Sequence, residues 1–302
     1  MSDAANLHVG VIGLGSMGMG MARSLARAGL TLKAYDVNPK AVAAISDVGK
    51  GATDHREAAR DCDILVCAVV NAKQTRDVLL GAEGAVHSMK KDGVVISCAT
   101  MAPEEARAIG ALVNETGRFY LDAPISGGPA KAASGQMTIM ASGTQDAFTR
   151  ARPALEAMAA KIYELGSEIG IGASFKMINQ LLAGVHIAAA CEAMSFAAKL
   201  GLDLHKVFEV ITASAGNSWM FENRVPHILD GDYSPKSAVS IFTKDLGIIS
   251  DMGRSEKFPL SLSAAALQMF LMTAAAGMER DDDASVARLL ANIAGVKLPE
   301  AK

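Results

Sequence analysis

HVGVIGLGSMGMGMARSLARAG, residues 8–29, decides the fold. An apolar β-prone run, HVGVI, leads directly into Gly13-x-Gly15-x-x-Gly18, and a helical pattern follows at once. In that setting each glycine has a physical task. Gly13 permits a tight turn, Gly15 lets the backbone approach a pyrophosphate, and Gly18 lets helix and strand pack closely. The helix N-terminus adds free N–H groups and a positive dipole. Gly13, Leu14, Gly15, Ser16, Met17 and Gly18 are therefore candidate contacts for a dinucleotide. The competing reading, three glycines in an ordinary turn, does not account for the strand before them and the helix after them.

The same β-then-helix rhythm continues outward from this stretch. HVGVI, LKAY, ILVCAVV, GVVISC, RFYLDAPI, MTIMASG and KIYELG alternate with helical patterns as far as residue 165. Continuous apolar runs such as ILVCAVV suit a parallel sheet covered on both faces. After Gly172 the strand signals stop. Helices are expected over 173–200, 204–214, 219–229, 238–255, 260–276 and 283–294, broken at Gly201, Gly216, Gly231-Asp232, Pro259 and Gly277. The expected fold class is α/β: a Rossmann dinucleotide-binding domain over residues 1–168, then a long connecting helix that opens an all-α domain over 169–302. The acidic cluster Glu279, Asp281, Asp282 and Asp283 reads as a solvated loop that caps the next helix.

The second strand, in LTLKAYDVNP, ends at Asp36, eighteen residues after Gly18. That is near the offset of an acid that binds adenosine ribose hydroxyls; a strand-end cap is the other reading. A carboxylate there repels a 2′-phosphate and no arginine follows in DVNPK, which favours NAD over NADP. Val69, Val70 and Asn71, and Thr100 beyond the next strand, lie at strand ends that face a cofactor in open α/β sheets. Ser126-Gly127-Gly128 offers a hydroxyl and exposed N–H groups that suit a carboxylate, or is a plain surface turn.

In GASFKMINQLLAG, residues 172–184, Lys176, Asn179 and Gln180 share one helix face, and that stripe continues as Ala183, Ile187 and Ala190. A lysine heading an apolar stripe is a candidate acid/base for moving a hydroxyl proton, made less basic by partial desolvation and a neighbouring cation. It also reads as a snorkelling surface lysine. Lys244-Asp245, inside the otherwise apolar SIFTKDLGII, raises the same question.

Composition narrows the function classes. The chain has 302 residues, half of them hydrophobic, a net charge of −3 and a mean hydropathy of +0.24. No Lys/Arg-rich run supplies the positive surface that nucleic acid or an anionic membrane needs, so the expected partner is a small molecule. The four cysteines show no C-x-x-C spacing, and neither HExxH nor GxSxG occurs, which removes support for a metal site or a hydrolase. MSDAANLHVG lacks a basic stretch before a long apolar one, so no signal peptide and a cytoplasmic location are expected. The weakly polar run 181–198 reads as a buried helix rather than a membrane span, because His186 and Glu192 interrupt it.

GLGSMG at 13–18, DAPISGG at 122–128, GIGASFKMINQ at 170–180 and KDL at 244–246 together resemble the β-hydroxyacid dehydrogenase family, which includes 3-hydroxyisobutyrate dehydrogenase and tartronate semialdehyde reductase. The resemblance covers nearly the whole chain. It implies an NAD-dependent oxidation of a small hydroxyacid. Lys176 is then the catalytic acid/base, Asn179 or Gln180 the amide that binds substrate, and Ser126, Gly127 and Gly128 the carboxylate holders. Lys244 falls near cofactor and substrate, with Asp245 beside it. It also implies a homo-oligomer, dimer or tetramer. The stretch 214–235 looks closest to a branch that oxidises a four-carbon sugar acid, L-threonate, at carbon 2. Asn217 beside the single tryptophan, Trp219, suits such a polyhydroxylated substrate. A catalytically silent NAD-binding sensor is the reading from another class, and it has no need of Lys176.

Overall fold

The computed structural model describes residues 7–301, which form two compact units dividing after Lys176. In the first, strands β1 (His8–Ile12), β2 (Thr31–Tyr35), β3 (Lys50–Gly51), β4 (Ile64–Cys67), β5 (Val94–Ser97) and β6 (Phe119–Asp122) make one parallel sheet in the order 3-2-1-4-5-6. That is the order of a doubly wound dinucleotide-binding sheet, with its switch point between β1 and β4.

Successive side chains of a strand point to opposite faces, and here each face has its own core. Val9, Val11, Ile64, Val66, Val94 and Ile96 pack on one side with Met21 and Leu25 of the helix Ser16–Arg27. Ile12, Leu65, Cys67 and Val95 pack on the other with Leu79, Ile109 and Val113. Each large aliphatic group removed from water contributes about 1.5–3 kcal/mol.

Three further strands leave this sheet. β7 (Ile125–Ser126), β8 (Met137–Ala141) and β9 (Ala159–Glu164) form a second sheet in which β7 runs antiparallel to β8 and β9 parallel to it. RFYLDAPI, one run in the sequence, is thus divided between two sheets. Pro124 has no N–H to donate to a ladder, and the break falls at Ala123-Pro124. Asp122 and Ser142 join β6 to the end of β8 by paired backbone hydrogen bonds of 3.0 and 2.8 Å.

The helix Ile171–Lys199 carries the chain out of the first unit into the second, where Leu204–Thr212, Trp219–Asp230, Val239–Ser255, Ser261–Thr273 and Val286–Ala294 follow. Its Met177, Ile187, Cys191 and Met194 lie in the core of that unit with Val225, Phe242 and Phe270, the last two rings stacked at 5.1 Å. The expected 260–276 helix ends at Thr273 and loosens into a wide turn over Ala274–Met278, where Gly277 has φ 88°.

The acidic cluster is solvated only in its first half: Glu279 is exposed and Asp281 partly so. Asp282 and Asp283 are fully buried. Asp282 accepts from Ala284 N at 3.1 Å, so the capping role is real, and it meets His227 at 3.1 Å. Arg224 grips Asp283 through Nε at 2.5 Å and Nη2 at 3.1 Å. Burial pushes the Asp283 carboxyl up to about 6, against the guanidinium that draws it down. The partners stand 59 and 55 residues away along the chain, where no local pattern reveals them. Arg224→Ala strands a buried carboxylate and is expected to cost about 3–5 kcal/mol by urea denaturation. Arg224→Met with Asp283→Leu, which removes both charges, recovers most of that loss.

Candidate active site

The glycine loop follows β1 as the sequence implies. Gly13 N–H donates to Tyr35 O at 2.9 Å, and its φ of 95° is open to glycine at little cost. The helix Ser16–Arg27 starts from Gly15, with no acid in its first turn and no side-chain cap among the described residues, so its leading N–H groups suit an anion. The two inner glycines differ in the space around them. A Cβ at Gly18 would lie 1.9 Å from Gly13 O, whereas one at Gly15 meets nothing within 4 Å.

Asp36, just past β2, is half-buried. Its Oδ2 accepts from Leu14 N at 2.6 Å and its Oδ1 from Asn38 N at 2.8 Å. The acid therefore anchors the glycine loop, and each oxygen keeps a second lone pair for a ribose hydroxyl. Asn71 caps the helix Ala72–Leu80 by accepting from Gln74 N at 2.9 Å, while Gln74 Oε1 accepts from Val70 N at 2.9 Å. Asn71 is thus the N-cap and Gln74 holds the residue before it, so Asn71 has a structural task. Val69 is half-buried, Val70 half-exposed, and Thr100 half-buried beyond β5. Ser126 ends β7, and Gly127 and Gly128 follow with φ 134° and 79°.

Asp122, at the head of the DAPISGG motif, carries no role in the sequence reading. It is buried, and its Oδ2 accepts from Gly170 N at 3.0 Å and Ala173 N at 2.8 Å, at the start of the helix Ile171–Lys199. Ser142 Oγ accepts from Gly172 N at 2.9 Å. Lys176 follows one turn on and is only 7% exposed, not a solvated surface lysine.

In the second unit four polar residues form one chain. Asn179 Nδ2 donates to Gln180 Oε1 at 3.0 Å, Gln180 Nε2 donates to Asp245 Oδ2 at 2.5 Å, and Lys244 Nζ donates to Asp245 Oδ1 at 2.5 Å. Asp245 is fully buried and Gln180 nearly so. A buried carboxylate between a cation and an amide is the arrangement that offsets its desolvation. Asn217 is engaged elsewhere, donating to Thr212 O at 3.2 Å and Glu222 Oε1 at 2.5 Å. Trp219 opens its helix half-exposed. A concavity of about 540 Å³ in this unit, lined by Tyr233, Arg288 and Asn292 among others, includes none of these residues.

A parallel sheet with a glycine cradle at its switch point, joined to a helical unit that holds a partly buried lysine–aspartate–glutamine chain, defines a nicotinamide-dependent oxidoreductase, and comparison with known proteins narrows the class. Residues 8–166 match the NAD-binding domain of 6-phosphogluconate dehydrogenase, and residues 170–290 match the family model described as NAD-binding of NADP-dependent 3-hydroxyisobutyrate dehydrogenase. L-threonate dehydrogenase of Cupriavidus necator is 50% identical over 97% of this chain and 98% of its own. That of Escherichia coli K12 is 46% identical over the full length of both. The crystal structure of a 3-hydroxyisobutyrate dehydrogenase from Salmonella typhimurium superposes with a TM-score of 0.90 at 48% identity, covering 94% of this chain and all of that one. The chain belongs to the β-hydroxyacid dehydrogenase family, on the branch of the L-threonate dehydrogenases, and is an NAD-dependent hydroxyacid dehydrogenase.

The two glycines give opposite expectations. Gly15→Ala fits the folded chain and should leave Tm within about 2 °C, yet raise the NADH dissociation constant about tenfold or more, the worth of one charged hydrogen bond. Gly18→Ala should lower Tm. Calorimetry with fluorescence titration separates them.

Proposed function

We propose that the enzyme oxidises L-threonate at carbon 2 to 2-dehydro-L-erythronate, with Lys176 as the acid/base. The observation that carries the proton role is a buried lysine one turn into a helix that carries Asn179 and Gln180 on the same face. The relatives named for L-threonate support the substrate. Neutral Lys176 takes the proton of the carbon-2 hydroxyl as that carbon becomes a ketone, and in reverse it returns the proton to the carbonyl oxygen. Bound NAD supplies the hydride acceptor, against the loop 13–18, Asp36, Val69, Val70, Asn71 and Thr100.

Ser126, Gly127 and Gly128 hold the substrate carboxylate. Gln180 is fixed by Asp245, which leaves Asn179 as the more adaptable amide contact; Lys244 reaches cofactor and substrate, and Trp219 with Asn217 borders the polyol end. Residues 1–168 act as the cofactor domain and 169–302 as the substrate and oligomer domain. Ile178, Leu182 and Phe196 are 62%, 50% and 62% exposed on one long helix. An apolar surface of that kind supports a homo-oligomer, dimer or tetramer. The setting is cytoplasmic, without a membrane or nucleic-acid partner. The Salmonella structure, with its own name, keeps 3-hydroxyisobutyrate as the second substrate to test. A turnover screen with NAD against L-threonate, 3-hydroxyisobutyrate and three-carbon hydroxyacids decides between them.

Cofactor choice turns on Asp36. NAD should be used far better than NADP, and Asp36→Ala should narrow the gap by removing both the ribose contacts and the repulsion of a 2′-phosphate. Equal kcat/KM for the two cofactors in the unaltered enzyme removes Asp36 from this role.

Lys176→Ala should fold, bind NADH and lose at least about 10²-fold in kcat, the low end for a general acid/base. Lys176→Arg keeps the charge but holds its proton too tightly, and should stay nearly inactive. Restored turnover with Arg, or an intact kcat with a lowered Tm in the Ala variant, makes Lys176 scaffolding.

A further inference from the structure

We infer that Asp122 is a positioning residue for catalysis: with Ser142 it clamps the first turn of the helix Ile171–Lys199 and thereby fixes where Lys176 points. The inference rests on the reading of Lys176 as the acid/base. The first N–H groups of a helix have no partner within it. Here three of them, on Gly170, Gly172 and Ala173, are taken by two oxygens, Asp122 Oδ2 and Ser142 Oγ. Those two residues are locked to each other by the backbone bonds between β6 and the end of β8. The helix start is also pressed hard onto them. A Cβ at Gly172 would lie 2.5 Å from Met140 O and 2.7 Å from Asp122 O. Ala173, held directly, is three residues before Lys176 and on the same face. Any slide or rotation of this turn is therefore a displacement of the lysine.

Asp122 governs a second element as well. It begins the segment that runs to Ser126, Gly127 and Gly128, and Met140 N–H holds that segment through Pro124 O at 3.0 Å. The turn proposed to take the substrate carboxylate and the helix proposed to move the proton are thus referred to one residue.

Stability does not explain the charge. Burial raises the Asp122 carboxyl to about 6, although the N–H groups of Ala173 and Gly170, the Ser142 hydroxyl and Arg107 all pull it down. A folded carboxyl that holds its proton more tightly than an unfolded one loses stability as the pH rises from the usual carboxylate range through 6. An asparagine would accept the same N–H groups without that cost. What the anion adds is a shorter, stronger hold on N–H donors at the positive end of a helix. The titratable and charged groups that act on it are Arg107 on the helix Pro103–Glu115, Cys98 beyond β5 and Tyr120 on β6.

The test uses the full-length enzyme with NAD and L-threonate. Asp122→Asn keeps the shape and removes the charge. It should lower kcat by about 10- to 10²-fold, the scale of a small misplacement of a reacting group, leave the NADH dissociation constant within about twofold, and not lower Tm at pH 8. In the unaltered enzyme, log kcat should fall more steeply with decreasing pH around 6, where Asp122 takes up its proton, than it does above that range. Asp122→Asn should abolish the steeper part. Ser142→Ala, which removes a bond that favours the ionised carboxyl, should move it to higher pH, and it serves alone if Asp122→Asn does not fold. Asp203→Ala, which uncaps the helix Leu204–Thr212 in the same chemical way, should lower Tm without touching the pH profile. Wild-type kcat in Asp122→Asn, an unmoved acid limb in both clamp variants, or the same pH change in Asp203→Ala overturns the inference. Lys176→Ala in the same assay separates the two levels. If it is inactive while Asp122→Asn is normal, only the clamp fails; if it keeps its turnover, the reading of Lys176 fails and the clamp with it.

Discussion

Burial of β1, β4 and β5 on both faces of the sheet is the constraint on which the placement of the chemistry depends. A strand whose every side chain faces a core has no room for a charged or hydroxylated catalytic group, because an unpaired polar atom there costs several kcal/mol. Polar side chains and open backbone groups therefore fall at the points where the chain leaves the sheet. Gly13 follows Ile12, Asp36 follows Tyr35, Val69 lies two residues past Cys67, and Thr100 three past Ser97. Because the strands are parallel, these exits fall along one edge, and one ligand can reach all of them. Ser97 and Asp122, the last residues of β5 and β6, are buried polar residues of the sheet. Asp122 is tolerated because a helix start supplies its donors.

Buried acids in the second unit show how a structural group differs from one fit for chemistry. Asp283 and Asp245 are both fully buried and both paired to a cation. Around Asp283 the cation is sealed as well: the Arg224 side chain is 9% exposed, and Asp282 beside it accepts from the backbone N–H groups of Lys236 and Ala284. Such a cluster fixes a fold and admits no ligand. Lys244 is 22% exposed, and the amide chain from Asp245 ends at the half-buried Asn179. The two clusters thus differ in how far their ends reach toward the surface. Accessibility, not charge, separates the two.

Legibility in the sequence follows the range of the interactions involved. The glycine loop, the strands and the long helices were readable because strand and helix periods and glycine breaks are local; observed boundaries fall within a few residues of the expected ones. β3, only Lys50 and Gly51, is too short to show a period. The separation of β7, β8 and β9 into a second sheet depends on pairings that no local window contains. Lys176, Asn179 and Gln180 stood out because a polar start to an apolar stripe is itself a local anomaly. Asp122 did not, although it lies in a quoted motif, because its donors are 48 and 51 residues away. Asn71 shows the opposite limit. Its cap on Gln74 N spans four residues and is a local pattern, although the residue also stands at a strand end where cofactor contacts are expected.

The helix Ile171–Lys199 shows why length and composition alone misjudge an element. Together with Ser261–Met278 it is long and apolar enough to cross a membrane. A bilayer offers no partners for Lys176 and Gln180 or for the N–H groups of the first turn, so a lipid-facing segment that carried them would leave each unsatisfied. Here the first-turn N–H groups have Asp122 and Ser142, and Gln180 has Asp245. Farther along, Cys191 and Ser195 donate to Ala284 O and Ala287 O of the same helical unit. The apolar residues between these points provide the core of that unit, and the polar ones fix the rotation at which the helix enters it. A uniformly apolar helix would pack as well in several rotations; the hydrogen bonds of Gln180, Cys191 and Ser195 select one within that unit.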